Sequence, residues 1–356
     1  MATPKFPHVT PSFHSVLKQR VNQYFQENNI SPTGGWRLFT KGLLLFSLLL
    51  TTYVVLLIVQ PATLWAMLLC ALMGLLIATI GFNIMHDGSH GSFSKYAFIN
   101  KLAALTLNML GGSAFMWNQK HNVIHHAYTN VHDVDDDLDA GFLMRMSKHQ
   151  PKLGIHRLQH VYFWVLYALL YLFWIFYSDF KKYFTGKIGS VPLKKMSLKD
   201  HVSFWLGKAL FAMVFMIIPI ATFGFVNWMI GFLVMTTVSG LVLSIVFQLA
   251  HTVEHTSFPV ADEVTGKLED EWAVHQLKTT ANFATRNRVV SWLVGGLNFQ
   301  VEHHLFPRIS HIHYPEINKI VKKACAEFNV PYIEYKTMGK AIISHVSYLR
   351  MLGTAA

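Results

Sequence analysis

From Gly42 to Met85 the chain carries no Asp, Glu, Lys or Arg, and a second uncharged run extends from Ala209 to Ala250. Pro61 divides the first run into two stretches of about 20 residues, each long enough to cross a bilayer as a helix. A Gly224-Phe225-Val226-Asn227 turn divides the second run in the same way. With 52% hydrophobic residues, 14% charged residues and a mean hydropathy of +0.33, the composition is that of a membrane protein. The expected fold is all-α and polytopic, with four transmembrane helices in two hairpins under a cytoplasmic helical cap. The spans are expected at about 42–60, 62–85, 205–223 and 227–249. A segment 1–39 precedes the main domain, 40–335, and a tail, 336–356, follows it. The first forty residues are polar and the first apolar stretch is long enough to stay in the membrane, so no cleaved signal is expected.

Charge placement orients the hairpins. Lys5, Lys18, Arg20, Arg37 and Lys41 precede the first span, whereas the turns at Pro61 and Gly224 are bare, which puts the N-terminus in the cytoplasm. The basic C-terminal part then falls on the same side. Two other apolar stretches bear on this count. Residues 102–119 are weakly apolar and contain Gly111-Gly112. Residues 161–178 are strongly apolar, but half of them are Tyr, Phe or Trp, which favour the headgroup level. Lys181, Lys182, Lys187, Lys194, Lys195 and Lys199 follow, and a lone crossing at 161–178 would strand them outside. This stretch is therefore expected to be an interfacial or re-entrant helix. The net charge of +11 fits positive-inside bias and anionic lipid. No zinc-finger or RNA-binding motif is present, and no nucleic-acid partner is expected. Cys70 and Cys325 are isolated, so neither a disulfide framework nor a redox dithiol is encoded.

The chain has 20 histidines, many of them beside the ends of the hydrophobic runs. They fall in HDGSH (His86, His90), HNVIHH (His121, His125, His126), HTVEH (His251, His255) and QVEHH (His303, His304). His86/His90, His121/His125 and His251/His255 are i, i+4 pairs, which share one face of a helix. A lone histidine is usually a hydrogen-bonded core or interfacial residue; four clusters at one membrane face point to metal. Imidazole suits zinc, copper, iron and nickel alike. Zinc is satisfied by four ligands, or three plus water, whereas eight or nine histidines suit two ions with open positions. Neighbours at i, i+4 cannot clamp opposite faces of a porphyrin. Zinc is redox-inert and paired irons activate oxygen, so a dimetal site at the mouth of a lipid-embedded bundle points to chemistry on a lipid chain.

HDGSH, HNVIHH and QVEHHLFP, in this order and separated by a membrane hairpin, resemble the three histidine boxes of the membrane fatty acid desaturase family. Gln300 at the first position of the third box is similar to the front-end branch, which desaturates between an existing double bond and the carboxyl end. The likeness continues through HAYTNVHDVDDDLD, FQLAH, WAVHQLKTTANF and GGLNFQVEHHLFPRISH, over roughly residues 40 to 335. The resemblance implies two iron ions, O₂ as co-substrate, and His86, His90, His121, His125, His126, His303 and His304 as ligands, with His251 adding another. Gln300 would be a weaker or water-mediated ligand. His255, one turn beyond His251, is open between a ligand and a solvated side chain. His132, His156, His160 and His275 read as supporting or surface residues. In the acidic run Asp133, Asp135, Asp136, Asp137 and Asp139, one or two carboxylates, Asp135 and Asp137 among the candidates, are placed to orient metal-bound imidazoles by accepting their second N–H.

The implied reaction removes two hydrogens from adjacent CH₂ groups of an acyl chain carried by CoA or by a membrane lipid. The N-terminal MATPKFPHVTPSFHSVLKQR has no HPGG haem motif, so electrons are expected from a separate ferredoxin or small cytochrome with its reductase. The expected location is a bacterial inner membrane or the endoplasmic reticulum, with both termini and the active site cytoplasmic. A lipid hydroxylase or acetylenase uses the same boxes and is the nearest alternative. A more distant one is a zinc peptidase, because His251-Thr252-Val253-Glu254-His255 fits HxxEH.

Overall fold

The computed structural model describes residues 4–138 and 140–354. An amphipathic helix α1 (Phe13–Glu27) leads into α2 (Gly35–Val59), α3 (Thr63–His90), α4 (Ala97–Met109) and α5 (114–125). Next come α6 (Gly154–Thr185), α7 (Leu198–Phe223) and α8 (Phe225–His251). Shorter helices close the chain: α9 (Trp272–Thr279), α10 (Arg288–Leu293), α11 (Gln300–Leu305), α12 (Tyr314–Phe328) and α13 (Met338–Thr354). Strand is confined to two-residue pairs, Lys187–Ile188 antiparallel to Val191–Pro192 and Asn282–Phe283 parallel to Glu334–Tyr335.

The two expected hairpins are present, and their breaks are local. Gln60 closes α2 in the left-handed region just before Pro61, and Gly224 at φ 76° turns α7 into α8. One expectation needs correction. Among the described residues five helices are long and apolar enough to cross a membrane: the four expected spans and α6, whose length of 32 residues exceeds the expected interfacial helix. The expected helix 161–178 is thus only its middle. The sequence pattern missed its polar first turn, Gly154–Leu158, and its basic end, Asp179–Thr185.

Pro219 shows how an apolar helix absorbs a breaker. Proline has no N–H to give and crowds the carbonyl four residues back, and α7 widens to a π turn at Met213–Ile217. The carbonyls this frees find side-chain donors on neighbouring helices. Tyr53 of α2 donates its hydroxyl to Val214 O at 2.6 Å, and Trp228 of α8 donates Nε1–H to Phe215 O at 2.8 Å. In lipid no water is available to satisfy these groups, so the breaker becomes a tie between three helices.

Small residues let α8 approach its neighbours. A Cβ on Gly74 of α3 would lie 2.3 Å from Met235 O, and one on Gly240 of α8 would lie 2.5 Å from Ala168 O of α6. Ser239 Oγ donates across the first contact to Gly74 O at 3.0 Å. Above the bundle, α1, α9, α11 and α12 form a separate cap core in which Leu17 and Val21 pack with Leu277, Val301, Ile317 and Val321. That core fixes α11, which carries His303 and His304, over the ends of α3 and α8.

These close approaches give a stability prediction. Gly74→Val and Gly240→Val should each destabilise the fold in detergent by on the order of 1–3 kcal/mol, read as a lowered thermal midpoint, because overpacking forces the helices apart. Gly339→Ala on α13, where a Cβ meets nothing within 4 Å, should leave the midpoint unchanged or raise it slightly.

Candidate metal centre

Three local devices aim the histidines at one chamber. Just before the first box α3 widens into a π turn, Gly81–Met85, pinned by Asn83, which donates Nδ2–H to Thr79 O and Leu293 O. The second box lies on another π turn, Asn118–His125. On an α-helix His126 would sit about 140° round from His121. The wider turn, closed by His126 N–H to His121 O, brings His121, His125 and His126 to the same chamber, and His121 Nε2 lies 3.2 Å from His126 Nε2. The third box is on α11, whose start is fixed by Val301 N–H donating to Asn282 Oδ1 at 2.9 Å. Glu302, fully buried, points away from the histidines and accepts from Asn282 Nδ2 at 2.6 Å, Asn318 Nδ2 at 3.1 Å and Tyr332 O–H at 3.1 Å. Burial pushes its carboxyl up to about 7 against those hydrogen bonds.

The eight expected histidines come together. His86, His90, His121 and His303 form one group whose ligand atoms lie within 4.8 Å of one another, and His125, His251 and His304 form a second. His126 reaches His303 and His304 and so stands between the two. Ring centroids of His125 and His251 are 4.7 Å apart, and those of His126 and His304 are 4.4 Å apart.

One nitrogen of five of these rings is anchored by protein outside the cluster. His125 Nδ1–H donates to Asp135 at 2.8 Å and His121 Nδ1–H to Asp137 at 3.1 Å. His304 Nδ1 meets Gln276 Oε1 at 2.9 Å, His303 Nδ1 meets the Tyr314 hydroxyl at 3.1 Å, and His251 Nδ1 faces Thr279 O at 3.3 Å. The opposite nitrogen is left over. Nε2 of His86, His90, His125, His251, His303 and His304, and Nδ1 of His126, are buried without a partner. A buried polar atom without a partner costs about 1–3 kcal/mol, and six Nε2 atoms converging on one chamber fit metal ligation.

The electrostatics agree with that fit. Burial holds His126, His303 and His304 well below the usual imidazole range and His121 down to about 4, so these rings are neutral and free to donate a lone pair. His125 differs. Burial opposes its charge, but Asp135 and Asp137 outweigh burial and raise it. Lys120, 3.1 Å from Asp137 and 3.4 Å from Asp136, holds the Asp137 carboxylate ionised.

Other expectations divide. Gln300 is buried at the start of α11 with Oε1 unpartnered, on the face shared by His303 and His304. His255 is a correction. Helix α8 ends at His251, and His255 lies beyond it at φ 77° and exposed, so the i, i+4 pair never forms. The same break separates the two histidines of HxxEH and removes the geometric basis of the peptidase alternative. His132, His156, His160 and His275 stay outside the ligand groups; His156 bonds Phe142 O at 2.8 Å and His275 packs edge-on against Phe6. Asp133 is exposed, and Asp139 lies outside the described residues.

Several supporting residues escaped sequence reasoning. Asp87, inside the first box, accepts from His311 Nδ1 at 3.0 Å and Ser310 Oγ at 2.9 Å, which ties α3 to the segment after the third box. Gln276, Thr279 and Tyr314 act on the histidines directly. Gln276 and Thr279 lie in the WAVHQLKTTANF stretch that carries the likeness and Tyr314 shortly after the third box, but no periodicity pairs them with particular histidines.

Comparison with known proteins follows the same lines. A family model described as fatty acid desaturase matches residues 62–336. The sn-1 linoleoyl-lipid 6-desaturase of Synechocystis sp. is 36% identical over 351 residues, covering 97% of this chain and 96% of its own length. The enzyme of the same description from Arthrospira platensis is 35% identical over 342 residues, covering 96% of this chain and 92% of its own. An acyl-lipid (8-3)-desaturase of Physcomitrium patens is 36% identical over 346 residues, covering 96% of this chain and 72% of its own. Ordered histidine boxes, their convergence between apolar helices and full-length similarity lead to one conclusion: this chain belongs to the fatty acid desaturase family, of front-end type, and is an oxidoreductase.

Proposed function

We propose that the chain introduces a double bond into a fatty acyl chain esterified to a membrane lipid, using two irons held by its histidines and electrons from a separate donor protein. The observation that carries this reading is the division of the buried imidazoles into two neighbouring ligand groups, each with unpartnered nitrogens turned inward. His86, His90, His121 and His303 would hold one ion. His125, His251 and His304 would hold the other, with His126 between them and Gln300 at the margin. A bound iron pair supplies oxygen activation and removal of hydrogen from unactivated CH₂ groups. Asp135 and Asp137 keep Nδ1 protonated on His125 and His121 and so present Nε2 to the chamber. Each methylene of the substrate taken out of water contributes about 0.8 kcal/mol, so an apolar path holds the chain by length while head-group anchoring sets which bond is presented. An acyl-lipid carrier is favoured over acyl-CoA by the named substrates of the relatives most similar along their whole length.

We read four of the five apolar helices as spans, with the histidines and both termini on the cytoplasmic side. The contact between His125 and His251 supports this: the chain must cross the membrane an even number of times between them, so α6, α7 and α8 cannot all span. Helix α6 is the one that both begins and ends near the histidine side. His156 at its start bonds Phe142 O, and Gly189, just after its end, abuts Asp136. Residues 136 to 142 reach at most roughly 21 Å, whereas a straight helix of 32 residues is about 48 Å long. The lysines after α6 favour the same placement.

Three outcomes test this. His125→Ala and His304→Ala should abolish the unsaturated product, read by mass spectrometry of lipids from a host fed C18 fatty acids, and should lower iron content, whereas His255→Ala should leave both unchanged. Asp135→Asn should retain folding but lower activity and iron affinity by about 10–100-fold, the usual effect of losing a carboxylate behind a metal-bound imidazole. Single cysteines at Lys187 and Lys194 should be labelled from the cytoplasmic face only; labelling from the opposite face would refute the four-span arrangement.

A further inference from the structure

A groove of about 660 Å³ opens where α2 enters the apolar region. Arg37 and Lys41 come from α2, Arg286 from the segment leading into α10, Arg288 from the first position of α10, and Trp292 and His311 complete the wall. None of the described lining residues is acidic. Among the described residues no carboxylate lies within ion-pair distance of Arg37, Arg286 or Arg288. All three arginines are exposed. Lys41 is buried, with its ammonium donating to Trp292 O at 2.6 Å and lying 4.6 Å from the centre of the Trp292 ring. Two acids stand behind the wall, Glu334, engaged by Lys322 at 2.6 Å and by Thr285, and Asp87, engaged by His311 at 3.0 Å.

The depth of the groove selects its occupant. Arg37 and Lys41 immediately precede the uncharged run that begins at Gly42. Trp36, Phe39, Val289 and Trp292 are exposed around it, the mixture of aromatic and basic side chains found at the headgroup level. Leu38 and Leu44 add apolar surface to its lining. At the floor, His311 bonds Asp87, which adjoins His86 of the metal centre. A soluble acidic protein would meet these arginines among exposed apolar side chains at the membrane boundary, whereas a glycerolipid already lies there.

We infer that this groove binds the anionic phosphodiester headgroup of the substrate lipid, with Arg37, Arg286 and Arg288 as its charge partners, while the acyl chain extends toward the histidines. This rests on the acyl-lipid reading above. Guanidinium groups suit the task because they pair with phosphate oxygens bidentately. Lys41, already bonded to Trp292, holds the groove wall and adds positive charge behind it.

Binding and turnover are measured separately. In native mass spectrometry of the detergent-solubilised chain titrated with phosphatidylglycerol or phosphatidylcholine, the wild type should retain phosphatidylglycerol more tightly by about tenfold or more. The triple variant Arg37→Gln/Arg286→Gln/Arg288→Gln should lose that preference, and the corresponding triple lysine variant should keep most of it. In nanodiscs supplied with the electron donor, the glutamine variant should desaturate chains on phosphatidylglycerol about tenfold more slowly relative to chains on phosphatidylcholine. Equal lipid selectivity in wild type and glutamine variant would overturn the inference. So would lost binding with unchanged turnover of phosphatidylglycerol, which would make the groove a site for a bystander lipid. Unchanged lipid selectivity with slower reduction by an acidic donor protein would reassign it to protein docking. A wild type that binds phosphatidylglycerol through these arginines but desaturates only acyl-CoA would refute the acyl-lipid reading and the substrate assignment while leaving the binding site itself in place.

Discussion

Eight imidazoles share one buried chamber, and the rest of the structure is arranged to hold them there. Burial disfavours the protonated forms of His126, His303 and His304, and each charged ring would repel its neighbours. Buried rings need partners for both nitrogens. Protein supplies one side, through Asp135, Asp137, Gln276, Tyr314 and the Thr279 carbonyl. The other side converges inward, where the unpartnered nitrogens of neighbouring ligand groups lie close enough together to hold metal ions. The histidines come from α3, α5, α8 and α11, so the chamber exists only when the membrane bundle and the cap are assembled together.

This dependence explains why supporting contacts are spread along the chain. Asp87 binds His311 across 224 residues of sequence and joins the first box to the segment beyond the third. Glu302 faces away from the metal centre and fastens α11 to the strand segment at Asn282 and to α12 at Asn318. Around Pro219 side chains of two other helices, Tyr53 and Trp228, complete the irregular backbone. The π turns before His86 and through the second box belong to the same design, since each re-aims a helix where a histidine must reach the chamber.

Much of this was legible in the sequence because the strongest signals are compositional. Charge-free runs cut at Pro61 and Gly224 define the hairpins, and the resemblance of the histidine boxes singles out the eight rings that meet. Sequence reasoning ran out where local geometry departs from an ideal α-helix. His251 and His255 read as one helical face, but α8 ends between them and His255 turns outward. His126 has no place on an ideal helix beside His121 and gains one only through the π turn. Helix α6 extends past its apolar centre because capping, lysine-bearing turns and packing on α8 sustain its ends, which hydropathy cannot register. The partners Gln276, Tyr314 and His311 carry no periodic signal, and only the tertiary fold brings them to the boxes.

The most direct test of the central claim is a metal count on the purified chain in detergent, by inductively coupled plasma mass spectrometry, alongside its Mössbauer spectrum after growth on ⁵⁷Fe. Two ligand groups of neutral imidazole call for about two irons per chain in nitrogen-rich, magnetically coupled sites. A single ion per chain, or stoichiometric zinc with fully active enzyme, would contradict the account.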